Sequence, residues 1–99
     1  MERLEKIEYI RAQVESYITS NYSRLSYEMN KPTELEHIKS VAVSIIADEH
    51  DIMRGGGFVQ AFNDNDLQMT FGRADNIIRE AIPFLIMLKQ NININKLSI

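Results

Sequence analysis

The chain has 99 residues, of which 44% are hydrophobic and 25% charged, with no cysteine and a formal net charge of −3. This size allows one domain with a modest core, and the lack of cysteine excludes disulfides, thiolate zinc sites and cysteine nucleophiles. No run reaches the roughly 18 apolar residues of a membrane span, and the charged N-terminus is unlike a signal peptide, so we expect a cytoplasmic protein that begins at Met1 and has no membrane partner.

The charged residues are unevenly distributed along the chain. Residues 32–66 carry seven acidic side chains and two basic ones, whereas residues 67–99 carry four basic side chains and two acidic ones. Nucleic-acid-binding proteins usually present a basic face, so nucleic acid is not an expected partner. The acidic middle and the basic end permit head-to-tail contact between subunits.

A long amphipathic helix is predicted over residues 3–29. Its apolar residues project onto one stripe at about 100° per residue, and charged residues occupy the other face. The stripe consists of Leu4, Ile7, Ile10, Val14, Tyr17, Ile18, Tyr22, Leu25 and Met29. A helix of about 25 residues is roughly 37 Å long, which exceeds what a small core needs. We therefore expect part of the stripe to contact another copy of the chain in a homo-oligomer.

A second helix is predicted over residues 34–53. Pro32 ends the first helix, because the residue before a proline is disfavoured in helical geometry. Thr33 is the predicted N-cap of the second helix, in a capping box with Glu36. A strand over residues 40–46 is the alternative, favoured only by a local alternation of apolar and polar residues.

Glu49 interrupts the apolar face of the second helix. Its carboxylate projects between apolar side chains, and burying an unpaired charge is costly. We expect this carboxylate to reach solvent, to pair with a base, or to take part in binding. The candidate bases are Arg54, Arg73 and Arg79.

Three consecutive glycines, Gly55, Gly56 and Gly57, follow Arg54. One interpretation is a turn in which glycine supplies a left-handed C-cap for the second helix. The other is an anion-binding nest, in which backbone N–H groups face a phosphate while Arg54 and Arg73 add positive charge. The spacing matches neither a P-loop nor a dinucleotide fingerprint. These three glycines and two arginines are the candidate ligand-binding residues.

Two further helices are predicted after the glycines, a short one over residues 58–63 and a long one over residues 66–90. Asn65 or Asp66 is the predicted N-cap of the long helix. Gly72 within this helix indicates either a close backbone neighbour or a broken first turn. The predicted inward face comprises Leu67, Phe71, Ala74, Ile77, Ile78, Ala81, Ile82 and Leu85.

After Pro83, the long helix is apolar on every side, and a small monomer cannot cover every side of a surface helix. We predict that this part forms an oligomer or interaction surface. The surface comprises Glu49, Phe84, Ile86 and Met87. The tail over residues 91–99 alternates like a strand and has no evident partner within the chain, so we expect it to be flexible or to pair between subunits.

The sequence contains no recognisable catalytic or metal-binding pattern. His37 and His50 are its two histidines, and the acidic residues beside His50 would point in different directions on a helix. No serine stands in a nucleophile motif. We therefore predict a protein that is not an enzyme, with no catalytic residue, metal site or cofactor.

Three short strings resemble a pattern found in short proteins of tailed bacteriophages and prophages. They are Gly-Gly-Phe-Val-Gln-Ala-Phe at 56–62, Asn-Asp-Leu at 65–67 and Gly-Arg-Ala-Asp at 72–75. The chain departs from the pattern at Ile78 and Arg79, where an asparagine is usual. The resemblance implies phage origin and expression in a bacterial cytoplasm, and it brings no known catalytic residue.

Together, these observations predict a single all-α domain, a small helical bundle of three main helices and a short helix after the glycine turn, which self-associates. The main functional hypothesis is a phage-type interaction protein that binds and modulates a host or viral protein, for example in counter-defence. The alternative is an oligomeric protein that binds or sequesters a small ligand such as a signalling nucleotide. A helix-turn-helix DNA binder is disfavoured because the net charge has the wrong sign.

Overall fold

The computed structural model describes residues 2–25 and 30–98, and all regular structure in these residues is helical. The α-helices are α1 (Arg3–Asn21), α2 (Pro32–Glu49), α3 (Gly57–Asn63), α4 (Leu67–Arg73) and α5 (Asn76–Asn91). A short 3₁₀ turn follows α1 at Tyr22–Arg24, and another follows α5 at Asn95–Ser98. The all-α prediction is confirmed for the described residues, and the alternative strand over residues 40–46 is wrong. None of the helices in the described ranges is both long and apolar enough to cross a lipid bilayer.

Helix α2 lies at the centre of the fold and packs against α1, α3 and α5. It buries six side chains, whereas α1 buries three at a spacing of four residues, as expected for one face of a helix. These residues are Ile38, Ala42, Val43, Ile45, Ile46 and Ala47 on α2, and Ile10, Val14 and Ile18 on α1. The radius of gyration of 12.9 Å is that of a compact domain of this length.

Helix α1 is shorter than the predicted helix over residues 3–29. It ends at Asn21, whose side-chain amide donates to the carbonyl of Tyr17 at 2.8 Å. After the 3₁₀ turn, Leu25 is extended, with φ −90° and ψ 147°, and its side chain is buried in the core. Met29, the last member of the predicted stripe, lies outside the described residues.

The predicted capping box of the second helix is wrong. Helix α2 begins at Pro32, because a proline ring already has helical φ and the first helical residue needs no N–H partner. The N-cap position belongs to Lys31, and the hydroxyl of Thr33 donates to its neighbour Glu34 at 2.7 Å. Glu36 instead accepts from Lys39 at 3.2 Å.

Helix α2 also ends four residues earlier than predicted, and without a glycine C-cap. Asp51 has a φ of 57°, and none of the four glycines has a positive φ. The N–H groups of Asp51 and Ile52 donate to the carbonyls of Asp48 (3.1 Å) and Ala47 (2.8 Å), which is the Schellman pattern. The left-handed residue is therefore an aspartate that precedes the glycines.

The predicted long helix over residues 66–90 is two helices. Asp66 is the N-cap of α4, as predicted, and accepts from the N–H of Met69 at 3.1 Å. Ala74 is extended, with ψ 140°, and Asp75 then caps α5 by accepting from the N–H of Ile78 at 2.8 Å. A Cβ atom at Gly72 would meet nothing within 4 Å, so no backbone packs closely against this glycine.

The C-terminal tail packs on its own chain. Ile92, Ile94 and Leu97 are partly buried against the core, and the hydroxyl of Tyr9 on α1 donates to the carbonyl of Asn93 at 3.2 Å. The prediction of a tail without a partner inside the chain is therefore wrong for residues 92–97.

Candidate functional site

The glycine turn, the first predicted binding site, is closed by a carboxylate of the protein itself. Asp48 Oδ1 accepts from the backbone N–H of Gly55 at 3.0 Å and from Gln60 Nε2 at 2.7 Å. Asp48 Oδ2 accepts from Asn63 Nδ2 at 3.0 Å. We call these four residues the Asp48 corner. The donor that an anion nest would need at Gly55 is thus already used.

The hydrogen bonds of the Asp48 corner stabilise the charged form of the carboxylate. The hydrogen bond from Asn63 lowers the pKa of Asp48 most, followed by the one from the Gly55 N–H, and the nearby charge of Arg54 adds to the effect. Burial acts in the opposite direction on this pKa and is outweighed. An ionised carboxylate at the turn repels a phosphate, so the geometry gives the turn a structural role.

The two candidate arginines lie at different places around the turn. Arg73 Nη1 donates to the carbonyl of Gly57 at 3.2 Å, so this arginine does reach the glycines, but it contacts an acceptor of the protein itself. Arg54 is exposed and lines a depression of about 420 Å³ that does not include Arg73. Gly56 is the N-cap of α3 and stays exposed.

A second concave site, which we call the α4–α5 groove, has a volume of about 380 Å³. It is bounded by α4 and α5, with contributions from the last turn of α2 and from α3 and its following loop. Its lining residues are Glu49, Phe62, Asn65, Leu67, Thr70, Ile82, Ile86, Lys89 and Gln90. Phe62, Thr70 and Ile82 are buried, whereas Leu67 and Ile86 are 68% and 40% exposed. The groove therefore has a packed apolar floor and apolar walls that are open to solvent.

Lys89 and Glu49 form the charged part of the α4–α5 groove. Lys89 Nζ donates to Asn63 Oδ1 at 3.0 Å, lies 3.8 Å from Glu49 Oε1 and stands 5.7 Å from the centroid of the Phe62 ring. The base that pairs with Glu49 is therefore Lys89, and the three arginines expected for this role are not its partners in the described residues.

Most of the exposed apolar side chains lie on the two helices that bound the α4–α5 groove, and two of them, Leu67 and Ile86, line it. Seven large hydrophobic side chains are exposed among the described residues, and five of them lie on α4 and α5. These five are Leu67, Met69, Phe71, Ile86 and Met87. The prediction that Leu67 and Phe71 point inward is wrong, because α4 is a separate short helix that buries only Thr70.

Phe84 does not belong to the exposed surface that was predicted for it. Its side chain is 6% exposed, and its ring packs edge to face against Tyr17 of α1 with centroids 5.7 Å apart. Leu85 and Leu88 are buried as well. The apolar surface that α5 leaves uncovered after Pro83 is therefore reduced to Ile86 and Met87.

The groove contains residues that the sequence reasoning missed, namely Leu67 as a wall, together with Thr70, Lys89 and Gln90. One signal was available, because Ile82, Ile86 and Lys89 are spaced i, i+4 and i+7 and so share a helix face. For Leu67 and Thr70 there was none, since the sequence predicted one helix over residues 66–90, whereas α4 is a separate helix that exposes Leu67 and buries Thr70.

His37 and Asp75 connect α2 to the start of α5. The His37 Nε2 and Asp75 Oδ2 atoms are 2.6 Å apart, and both side chains are about half exposed. Burial raises the pKa of Asp75, but the N–H of Ile78 and the imidazole of His37 outweigh it and lower this pKa overall. Within residues 2–25 and 30–98, no group of three His, Asp or Glu side chains is arranged to hold a metal ion.

Comparisons of the chain with protein-family models, with curated proteins and with solved structures found no match. The resemblance to phage proteins stays a prediction from the three sequence strings.

Proposed function

We propose that this chain is a non-enzymatic interaction protein that binds another protein through the α4–α5 groove. The observation that carries the proposal is the position of the uncovered apolar surface: five of the seven exposed large hydrophobic side chains in the described residues lie on α4 and α5. Two of these five, Leu67 and Ile86, line the groove, and exposed apolar side chains at a concave site are typical of binding surfaces. Glu49 and Ile86, two members of the predicted interaction surface, line this groove.

A protein partner fits the groove better than a phosphorylated small ligand does. The cation among the groove's lining residues is Lys89, which already contacts Asn63 and Glu49. The Glu49 carboxylate would repel a phosphate at the same place. At the glycine turn, Asp48 occupies the Gly55 donor. The nucleotide hypothesis therefore has no support from either site.

The biological setting of the proposal comes from the sequence pattern alone. The resemblance of residues 56–75 to short phage and prophage proteins supports a role in a bacterial cytoplasm, where the chain binds and modulates a host or viral protein, for example in counter-defence. Self-association through the same face also stays a prediction, and it now depends on Ile86, Met87 and the α4 residues instead of Phe84.

Site-specific photo-crosslinking in bacterial cells tests the proposal. A photoreactive phenylalanine analogue replaces Leu67 at the groove wall, and in a matched control it replaces Ser16, which is exposed on α1. We expect irradiation to give a discrete adduct with a different protein from position 67 and not from position 16. Adding Ile86→Glu should remove this adduct, whereas Ser40→Glu, at an exposed position of α2, should leave it.

Three results would overturn the proposal: no adduct at position 67, the same adducts at positions 67 and 16, or an adduct only with a second copy of the chain. Light scattering on the purified protein identifies the last case independently, because a stable oligomer has a multiple of the 11.5 kDa chain mass.

A further inference from the structure

We propose that the segment bound in the α4–α5 groove is a basic amphipathic helix of the partner protein. This inference rests on the proposed function and adds the chemistry of the partner. It follows from the charges around the groove, from the arrangement of its apolar walls and from the absence of a sheet edge in the described chain.

Two exposed aspartates give the rim of the groove its excess of negative charge. Asp64 and Asp66 flank Asn65, which lines the groove, and both carboxylates are exposed. Glu49 and Lys89, the charged residues among the lining residues, lie 3.8 Å apart and offset each other. A partner that brings lysine or arginine to this rim is therefore attracted, and one that brings carboxylates is repelled.

The apolar part of the groove suits side chains presented from one face of a helix. Leu67 and Ile86 stand on opposite walls above the buried Phe62 and Ile82. Helical segments bind such grooves by inserting apolar residues spaced i, i+3 or i+4 and i+7, with their polar residues left at the rim.

Other common modes of peptide binding lack their requirements here. Strand addition needs the edge of a sheet, and all regular structure in residues 2–25 and 30–98 is helical. Polyproline recognition needs a groove lined with several aromatic rings, and Phe62 is the single aromatic residue that lines this one. The helix-in-groove mode is the one that the described surface can accommodate.

Fluorescence anisotropy with two labelled model peptides tests the inference. Both peptides have about 18 residues and leucines at i, i+4, i+7 and i+11, a length that permits a helix on binding. One carries lysines beside the leucines, and the other carries glutamates at the same positions. We expect the basic peptide to bind at least about tenfold more tightly at about 50 mM salt, and the preference to shrink at about 500 mM salt because exposed charges are screened.

Matched variants of the protein locate the effect. Asp64→Asn combined with Asp66→Asn should reduce the preference for the basic peptide to less than about threefold, while asparagine at position 66 keeps the N-cap of α4. Glu8→Gln combined with Glu15→Gln removes the same charge from exposed positions of α1 and should leave the preference unchanged. Leu67→Ser combined with Ile86→Ser should weaken both peptides by about tenfold or more.

Several results would overturn the inference: equal or tighter binding of the acidic peptide, a preference that survives the Asp64 and Asp66 substitutions, or binding that ignores the Leu67 and Ile86 substitutions. Failure of both peptides to bind, together with a partner crosslinked at position 67, would overturn the inference and leave the proposed function intact. Absence of any crosslinked partner would overturn the proposed function itself, whatever the peptides do.

Discussion

The Asp48 corner and the α4–α5 groove meet at Asn63, which donates to Asp48 and accepts from Lys89, but they differ in how much apolar surface folding leaves exposed. In the corner, one carboxylate accepts three hydrogen bonds, from Gly55, Gln60 and Asn63. In the groove, the polar groups are also paired, through Lys89, Asn63 and Glu49, but the walls remain apolar and exposed. The corner therefore connects α2 to α3, whereas the groove leaves apolar side chains exposed to solvent.

This difference shows how a glycine-rich motif can indicate the wrong site. A run of glycines beside an arginine is typical of anion binding, yet a single acidic residue from the preceding helix can take the place of the anion. The buried side-chain nitrogen and oxygen atoms of the described residues all have hydrogen-bond partners. The apolar side chains of Leu67 and Ile86 are exposed in the groove, and no hydrogen-bonding motif in the sequence reveals them.

The largest expected effect is a difference in the free energy of unfolding between a substitution on the buried side of α5 and one at the groove wall. Phe84→Ala should lower the free energy of unfolding by about 3–5 kcal/mol, since it removes a buried ring and leaves a cavity beside Tyr17. Leu67→Ala should change it by less than about 0.5 kcal/mol, because that side chain is already in solvent. Urea denaturation measures both. A cost at Leu67 comparable with that at Phe84 would mean that the groove wall belongs to the core.

The next effect concerns the Asp48 corner. Asp48→Ala should lower the free energy of unfolding by about 2–3 kcal/mol, because donors from Gly55, Gln60 and Asn63 lose a charged acceptor. Asp64→Ala, an equal change at an exposed carboxylate, should stay within about 0.5 kcal/mol. Indistinguishable urea midpoints for these two variants would show that the corner is not a structural site.

Two glycine substitutions should have effects of opposite sign. A Cβ atom at Gly55 would lie 2.3 Å from Val59 Cγ1, so Gly55→Ala should destabilise the fold by about 1–3 kcal/mol. A Cβ atom at Gly72 meets nothing within 4 Å, so Gly72→Ala should stabilise α4 by about 0.5–1 kcal/mol. Thermal denaturation of both variants checks the signs, and a neutral Gly55→Ala would contradict the close packing of the turn on α3.

The smallest effect appears in the pH dependence of stability. The pKa values of Asp48 and Asp75 are both lower in the folded chain than in the unfolded chain. Their contributions are therefore complete above the unfolded-state pKa of about 3.9 and are lost as the pH falls through the lower folded-state values. Urea denaturation between about pH 6 and pH 2.5 should show stability declining below about pH 4, less steeply in Asp48→Asn. An unchanged decline in that variant would contradict the role of the Asp48 hydrogen bonds.

Local sequence signals predicted several elements closely. Helix α3 was predicted over residues 58–63 and spans Gly57–Asn63, and Asp66 caps α4 as one of two predicted candidates. These features depend on residues within one helical turn of each other, such as the Asp66 carboxylate and the N–H of Met69. Of the predicted interaction surface, Glu49 and Ile86 line the groove.

Contacts between distant residues were not predictable from local signals. The break at Ala74 and Asp75 coincides with the contact of Asp75 with His37, which is 38 residues earlier. The tail was predicted to lack a partner, yet Asn93 accepts from Tyr9, 84 residues away. Each of these contacts depends on how whole helices pack, and a window of neighbouring residues holds no information about that packing.

The amino-acid order alone predicted the helical fold of the described residues, the turns before Pro32, at the glycines and before α4, and the positions of the charges, because hydrophobic period, prolines and capping side chains act over a few residues. It missed the break between α4 and α5 at Ala74. It could not predict which side of α5 is buried and which is exposed to solvent. Where every residue from Phe84 to Leu88 is apolar, no periodicity distinguishes the side that packs from the side that stays in water. The packing of α5 against α1 and α2 determines these sides, because it buries Phe84 against Tyr17 and leaves Ile86 at the groove.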